Sequence, residues 1–183
     1  RDLGFYTVPT SFFQSLNSIF VVTLAPLVAW IWVKLGKREP SSPFKMAMGL
    51  MLLALGYLWI ATGVNGVGTG VKVSMIWLIG MYMMHTFGEL CLSPIGLSIM
   101  TKLSTKNLQG MMMGMWFLAS AYGQYVAGLI GAFLSEAKEG ATKSEILITY
   151  ADGYKQLGLY ALIAGVVLII ISPLIKKLMQ EVK

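Results

Sequence analysis

Five long apolar segments alternate with short polar segments along this chain of 183 residues. They cover about residues 8–33, 44–64, 74–100, 109–134 and 154–175. The apolar core of a bilayer is about 30 Å thick and needs about 20 apolar residues in a helix. Each segment is long enough to meet that requirement. The pattern therefore predicts an all-α membrane protein with five transmembrane helices.

The composition supports a membrane protein and argues against other classes. Hydrophobic residues make up 56% of the chain and charged residues 12%, and the mean hydropathy is +0.71. Soluble domains carry about 25% charged residues. The net charge of +6 would suit a nucleic-acid binder only if the basic residues clustered on a soluble face. They lie between apolar segments instead, so we expect the lipid bilayer, and no nucleic acid, as a partner. One cysteine and one histidine predict neither a disulfide framework nor a metal site.

The positive charges orient the segments. Nine Lys and Arg residues lie after the first and third segments and at the C-terminus, and five lie on the other side. The nine are Lys34, Lys37, Arg38, Lys45, Lys102, Lys106, Lys176, Lys177 and Lys183. Cytoplasmic loops carry the excess of Lys and Arg, so the C-terminus is predicted to be cytoplasmic and the first residue external. An external start before five spans predicts that at least one more helix precedes Arg1.

A carboxylate interrupts the third segment. Glu89 lies well inside residues 74–100, where an ionised side chain costs about 2.5 kcal/mol or more. Ser93 and Gly96 follow it on the same helix face, and His85 precedes it by one turn. Glu89 is either a paired residue that only joins helices or a proton or substrate site that faces a cavity. His85 is either a proton relay or a hydrogen-bonded interior histidine.

Three further segments have features that bear on such a site. Gln14, Asn17 and Ser18 share one face of the first segment, which is typical of interhelical hydrogen bonds or of a water-filled cavity. Trp116 of the fourth segment is either an interface anchor or core residue, or a wall of the site. The glycines of that segment predict close helix approach. The second segment, rich in Met, Leu, Ala and Gly, is interpreted as lipid-facing scaffold.

Three runs of sequence carry a family resemblance. They are FFQSLNSIFVVTLAPLVAWIW (Phe12 to Trp32), FGELCLSPIGLSIMTKLS (Phe87 to Ser104) and MMMGMWFLASAYGQYVAG (Met111 to Gly128). These runs resemble the proton-coupled oligopeptide transporter family, a branch of the major facilitator superfamily. The GELCLSPIGLS run at Gly88 to Ser98 is the most specific. The match extends through the whole chain, which implies the C-terminal bundle, helices 8–12 of a 12-helix fold.

The resemblance implies a function and a site. Such proteins are not enzymes: they import di- and tripeptides with protons across the bacterial inner membrane by alternating access. Protons are the coupling ion and no other cofactor is implied. Glu89 matches the acid that receives the amino terminus of the peptide, and Asn17 matches the asparagine that shares this contact. Ser93 and Trp116 match positions that line the same pocket. Helices 1–7 of the same protein would supply the proton-linked acidic motif and the basic residues for the peptide carboxylate.

One departure and two alternatives remain open. Phe12 stands where the resemblance leads us to expect tryptophan, so the ring is kept and the indole N–H is lost. The chain is alternatively part of a superfamily transporter for another small solute, and Glu89 then disfavours an anion because like charges repel. It is otherwise a structural membrane subunit that transports nothing. In that case Glu89 and Asn17 merely form hydrogen bonds between helices.

Overall fold

The computed structural model describes residues 10–65, 74–135 and 143–179, and within them every long element is an α-helix. The helices are α1 (Thr10–Leu35), α2 (Ser42–Asn65), α3 (Met75–Leu103), α4 (Gln109–Ser135) and α5 (Lys143–Leu178). This architecture confirms the predicted all-α fold with five helices. The predicted start of the first segment at residues 8 and 9 lies outside the described residues. The sequence NGVGTG (Asn65 to Gly70) predicts a tight turn, and all of it after Asn65 also lies outside the described residues.

Among the residues that the structure describes, four stretches of helix are long and apolar enough to cross a membrane. They are Ser15–Leu35, Ser42–Gly63, Met75–Leu103 and Glu145–Leu178. Helix α4 has 27 residues, which gives it a length of about 40 Å at ~1.5 Å per residue. None of these 27 residues is charged. Helix α4 is not one of the four stretches above, so the fourth predicted span stays a prediction.

Helix α5 begins well before the apolar segment predicted at 154–175. The sequence ILITYADGY at residues 146–154 predicts a short helical or irregular outer element. In the structure it is part of one continuous helix that starts at Lys143. No proline interrupts α5 before Pro173. Ala151 is 2% exposed, and a Cβ atom at Gly158 would lie 3.1 Å from the side chain of Leu58. Packing against α2 therefore supports the outer turns of this helix.

Helix α2 lies between α3 and α5 and packs extensively on both. Two series of small residues recur in it every seven residues, a period that keeps each series on one face. The alanines are Ala47, Ala54 and Ala61, and the glycines are Gly49, Gly56 and Gly63. All three alanines are at most 2% exposed. The interpretation of this segment as lipid-facing scaffold is therefore wrong for most of its surface. It holds only for the side that carries Leu55 and Trp59, which are exposed.

The backbones of α2 and α3 touch where two glycines face each other. A Cβ atom at Gly49 would lie 2.7 Å from the carbonyl oxygen of Gly88, and one at Gly88 would lie 2.8 Å from the carbonyl oxygen of Gly49. Small residues at helix interfaces permit this approach in membranes. Gly88 directly precedes Glu89, so the contact also places the carboxylate.

The glycines of α4 behave differently from those of α2. They are Gly110, Gly114, Gly123, Gly128 and Gly131. Within the described residues, a Cβ atom at any of these five would meet nothing within 4 Å. The close helix approach predicted for them is therefore not seen in the part of the chain that the structure describes.

The buried ammonium group of Lys45, at the start of α2, contacts the end of α1 and the segment between the two helices. Gly36 has a φ of 46° and opens a short 3₁₀ turn between the two helices. After this turn, Glu39 pairs with Lys45, which is 7% exposed. The Lys45 ammonium also lies 4.6 Å from the centre of the Trp32 ring on α1. A carboxylate and an aromatic face together offset the cost of burying this charge.

The contact between Gly49 and Gly88 leads to a stability prediction. Replacing Gly49 with alanine (Gly49→Ala) forces the α2 and α3 backbones apart, so we expect the free energy of unfolding to fall by about 1–3 kcal/mol. The matched control is Gly114→Ala, which meets no neighbour among the described residues and should not lower stability. Apparent melting temperatures in detergent measure both. Equal melting temperatures for the two variants would contradict the packing described here.

Candidate functional site

Polar side chains of α1 and α3 meet across 72 residues of sequence. The Asn17 side-chain Nδ2 donates a hydrogen bond to Oε2 of Glu89 at 3.4 Å. On its other side, Oδ1 of Asn17 accepts a hydrogen bond from the Thr86 hydroxyl at 2.8 Å. The structure thus brings together Asn17 and Glu89, which the sequence assigned to one site. The side chain of Gln14, which the sequence placed beside Asn17, lies outside the described residues.

Asn17 and Glu89 border a cavity of about 320 Å³. Ser93, one turn after Glu89, also lines it. Leu53 and Leu92 provide apolar wall, and Gly49 and Gly88 lie where the α2 and α3 backbones touch. Glu89 and Ser93 are exposed and Asn17 is half-buried, so the cavity is open on one side.

Trp116 lies apart from this cavity. A Cβ atom at Gly96 would come within 2.0 Å of the Trp116 ring, so the indole of α4 rests directly on this glycine of α3. Gly96 follows Glu89 by seven residues, which is about 10 Å along the helix. Trp116 is not among the residues that line the Asn17–Glu89 cavity. The structure therefore groups Asn17, Glu89 and Ser93 and sets Trp116 about two helical turns away.

Thr86 is the residue that the sequence reading missed. Its side chain is fully buried at 0% exposure, and its hydroxyl lies 2.8 Å from Oδ1 of Asn17 and 2.8 Å from the carbonyl oxygen of Tyr82. Thr86 precedes Glu89 by three residues, and residues three apart are neighbours on a helix surface. This three-residue spacing was the signal in the sequence that could have identified Thr86 as a neighbour of Glu89. The contact with Asn17 depends on how α1 crosses α3, which no local pattern shows.

His85 borders the cavity but turns toward α2. Its ring stands edge-on to Tyr57 with a centroid distance of 4.6 Å, and its Nε2 would lie 2.8 Å from a Cβ atom at Gly56. Nε2 is buried and has no hydrogen-bond partner among the described residues. Within these residues no hydrogen bond joins His85 to Glu89, so the proton-relay hypothesis stays a prediction.

The Glu89 carboxylate has acceptor capacity that its neighbours leave unused. Within the part of the chain that the structure describes, the amide of Asn17 is its hydrogen-bond donor, and the one ion pair is that of Lys45 with Glu39. An ionised carboxylate offers about four lone-pair sites to donors. Hydrogen bonds between a cation and a carboxylate are about twice as strong as neutral ones. The site is therefore suited to a ligand that carries a positively charged N–H group.

The fold and the site define an integral membrane protein of helices, with a polar cavity lined by residues of α1, α2 and α3. The family model PTR2, described as the POT family, matches residues 1–147. The chain belongs to the POT family, whose members are peptide transporters rather than enzymes.

Relatives and solved structures agree with this assignment. The transporter YclF of Bacillus subtilis is 36% identical over 181 residues, which is 99% of this chain and 34% of YclF. The peptide transporter YePEPT of Yersinia enterocolitica is also 36% identical, over 96% of this chain and 34% of its own. A crystal structure of a mutant peptide transporter, POT, in complex with sulfate matches this chain with a TM-score of 0.82 and 37% identity. The match covers 97% of this chain and 34% of the chain in that crystal structure. The chain therefore spans about a third of the length of these proteins. They confirm the resemblance and the fold class seen in the sequence.

The contact between Gly96 and Trp116 can be tested by overpacking. Gly96→Ala places a methyl group where the indole lies, so we expect a loss of about 1–3 kcal/mol in stability. Combining it with Trp116→Phe, whose ring is shorter, should recover part of that loss. Melting temperatures of both single variants and of the double variant give the coupling energy. Strictly additive losses would show that Trp116 does not rest on Gly96.

Proposed function

We propose that this chain is the C-terminal part of a proton-coupled symporter for di- and tripeptides, and that Asn17 and Glu89 bind the amino terminus of the peptide. The observation that supports this is the open cavity in which the Glu89 carboxylate accepts a hydrogen bond from a neutral amide at 3.4 Å. Membership of a peptide transporter family supplies the substrate class.

The chemistry of the site fits an ammonium group. The ammonium group at a peptide amino terminus has N–H donors that can reach Glu89 while the charges attract each other. In this structure Oδ1 of Asn17 accepts a hydrogen bond from the Thr86 hydroxyl, and Nδ2 is the end that faces Glu89. An ammonium group at Glu89 needs an acceptor from Asn17, and the carbonyl end of the amide provides one. In the low dielectric of a membrane protein interior, this pairing is stronger than the same contact in water.

Ser93 and Trp116 extend the proposed site along α3. Ser93 lies in the same cavity, where its hydroxyl can bind the first peptide unit. Trp116 rests on Gly96, which lies about 10 Å from Glu89 along α3, and an extended chain covers at most about 3.6 Å per residue. We therefore assign Trp116 to the far end of a tripeptide or to a peptide side chain rather than to the amino terminus.

We propose that the rest of the transporter lies in helices that precede this chain in the full-length protein. The open side of the cavity and the span of about a third of those proteins support a second half-site there. We propose that these helices bind the peptide carboxylate and carry the acidic motif linked to the proton. Alternating access would then expose the shared site to each side of the bacterial inner membrane, with the C-terminus of this chain in the cytoplasm.

Uptake by the full-length protein tests the proposed role of Glu89. In proteoliposomes with an inward proton gradient, the wild type should take up dialanine. Glu89→Gln keeps the shape of the side chain but removes its charge, so we expect uptake to fall by about 10-fold or more. The matched control is Asp152→Asn, which neutralises an exposed acid on α5 and should leave uptake unchanged.

The outcomes separate the hypotheses. Normal uptake by Glu89→Gln would contradict the role assigned to this carboxylate and leave peptide transport standing. Uptake that is independent of the proton gradient would contradict proton coupling. A wild type that takes up no peptide would favour another solute or a structural subunit. A wild type that takes up N-acetylated dialanine as well as dialanine would contradict recognition of the amino terminus.

A further inference from the structure

The two ends of the Asn17 side-chain amide face different groups. Nδ2 lies 3.4 Å from Oε2 of Glu89, and Oδ1 lies 2.8 Å from the Thr86 hydroxyl. The oxygen and nitrogen ends of an amide have almost the same shape and differ in hydrogen bonding, since one accepts and the other donates. The groups on either side therefore decide which end faces Glu89. With the site empty, a charged carboxylate favours the N–H end.

The Thr86 hydroxyl can form a hydrogen bond with either end of the Asn17 amide. A threonine hydroxyl carries one proton and can also accept hydrogen bonds. Two acceptors lie at the same distance from it, because Oδ1 of Asn17 and the carbonyl oxygen of Tyr82 are both 2.8 Å away. When the proton points to Asn17, the hydroxyl anchors the carbonyl end of the amide. When the proton points to Tyr82, the hydroxyl oxygen is free to accept from the N–H end.

We propose that Thr86 is a positioning residue that allows the Asn17 amide to turn over when a ligand ammonium group binds Glu89. This inference rests on the proposed function. An ammonium group at Glu89 repels the amide N–H and attracts its carbonyl oxygen. The amide therefore reverses, so that Oδ1 faces the ammonium group and Nδ2 faces Thr86. The Thr86 proton moves from Asn17 to the Tyr82 carbonyl, and every polar group keeps a partner.

Burial is what makes the Thr86 hydroxyl necessary for this reversal. Thr86 is 0% exposed, so its side of the amide is closed to solvent. A buried amide end without a partner carries the full cost of its desolvation. Serine retains a group that both donates and accepts, whereas valine has the shape of threonine and can do neither. The two replacements therefore separate the hydroxyl from the bulk of the side chain.

The test uses the full-length protein in proteoliposomes with dialanine as the probe. We expect Thr86→Val to raise the half-saturating concentration about 3- to 10-fold, because the amide N–H that it leaves unpaired in the bound site costs more than the carbonyl oxygen that it leaves unpaired in the empty site. Thr86→Ser should remain within about twofold of the wild type, since it keeps the hydrogen bond. The maximal rate should change little in either variant. In an Asn17→Ala background, Thr86→Val should have no further effect, because Thr86 acts through Asn17.

Any of the following results would contradict the inference. It fails if Thr86→Val binds dialanine as the wild type does, or if Thr86→Ser is as weak as Thr86→Val. It also fails if Thr86→Val has the same effect in the Asn17→Ala background, because that result indicates a general packing defect. A wild type without peptide uptake contradicts the proposed function and the inference together. An active wild type that is insensitive to Thr86 contradicts the inference alone.

Discussion

The carboxylate of Glu89 is the constraint on which this structure depends. An ionisable side chain in an apolar helix must face a partner or a cavity, because hydrocarbon cannot solvate it. Here it faces both, since Asn17 of α1 donates a hydrogen bond to it and the cavity beside it is open. Thr86 in turn holds the other end of Asn17. These three side chains join α1 to α3, and within the described residues they leave acceptor positions on Glu89 unoccupied.

The packing of α2 holds this arrangement in place. The backbones of α2 and α3 touch at Gly49 and Gly88, one residue before Glu89. On its other side α2 packs against α5, where Gly158 and Gly165 receive its side chains. Helix α4 contacts the other helices less, mainly where Trp116 rests on Gly96. We therefore expect α2, α3 and α5 to form the rigid part of this five-helix bundle. We expect α1 and α4 to face the remaining helices of the proposed transporter.

The sequence predicted the five helices, and the family resemblance assigned Asn17 and Glu89 to one site, but neither showed how the helices pack. Hydropathy over about 20 residues identifies a span. An acid inside such a segment is conspicuous because an ionised side chain is costly in the bilayer. The seven-residue series of Ala and Gly in α2 was visible, yet it does not say which helices it contacts. Thr86 was missed because threonine is common in membrane helices and its importance comes from a neighbour 69 residues away. The glycines of α4 signalled a close approach that the described residues do not contain.

A structure of the full-length protein with a bound dipeptide tests the central claim most directly. We predict that the amino nitrogen of the peptide lies at hydrogen-bond distance, about 3 Å, from the Glu89 carboxylate and from the Asn17 side chain. The direct contact between Asn17 and Glu89 should then be lengthened or lost. A peptide that places its carboxylate at this position would contradict the account. So would a peptide bound elsewhere while Asn17 still donates to Glu89.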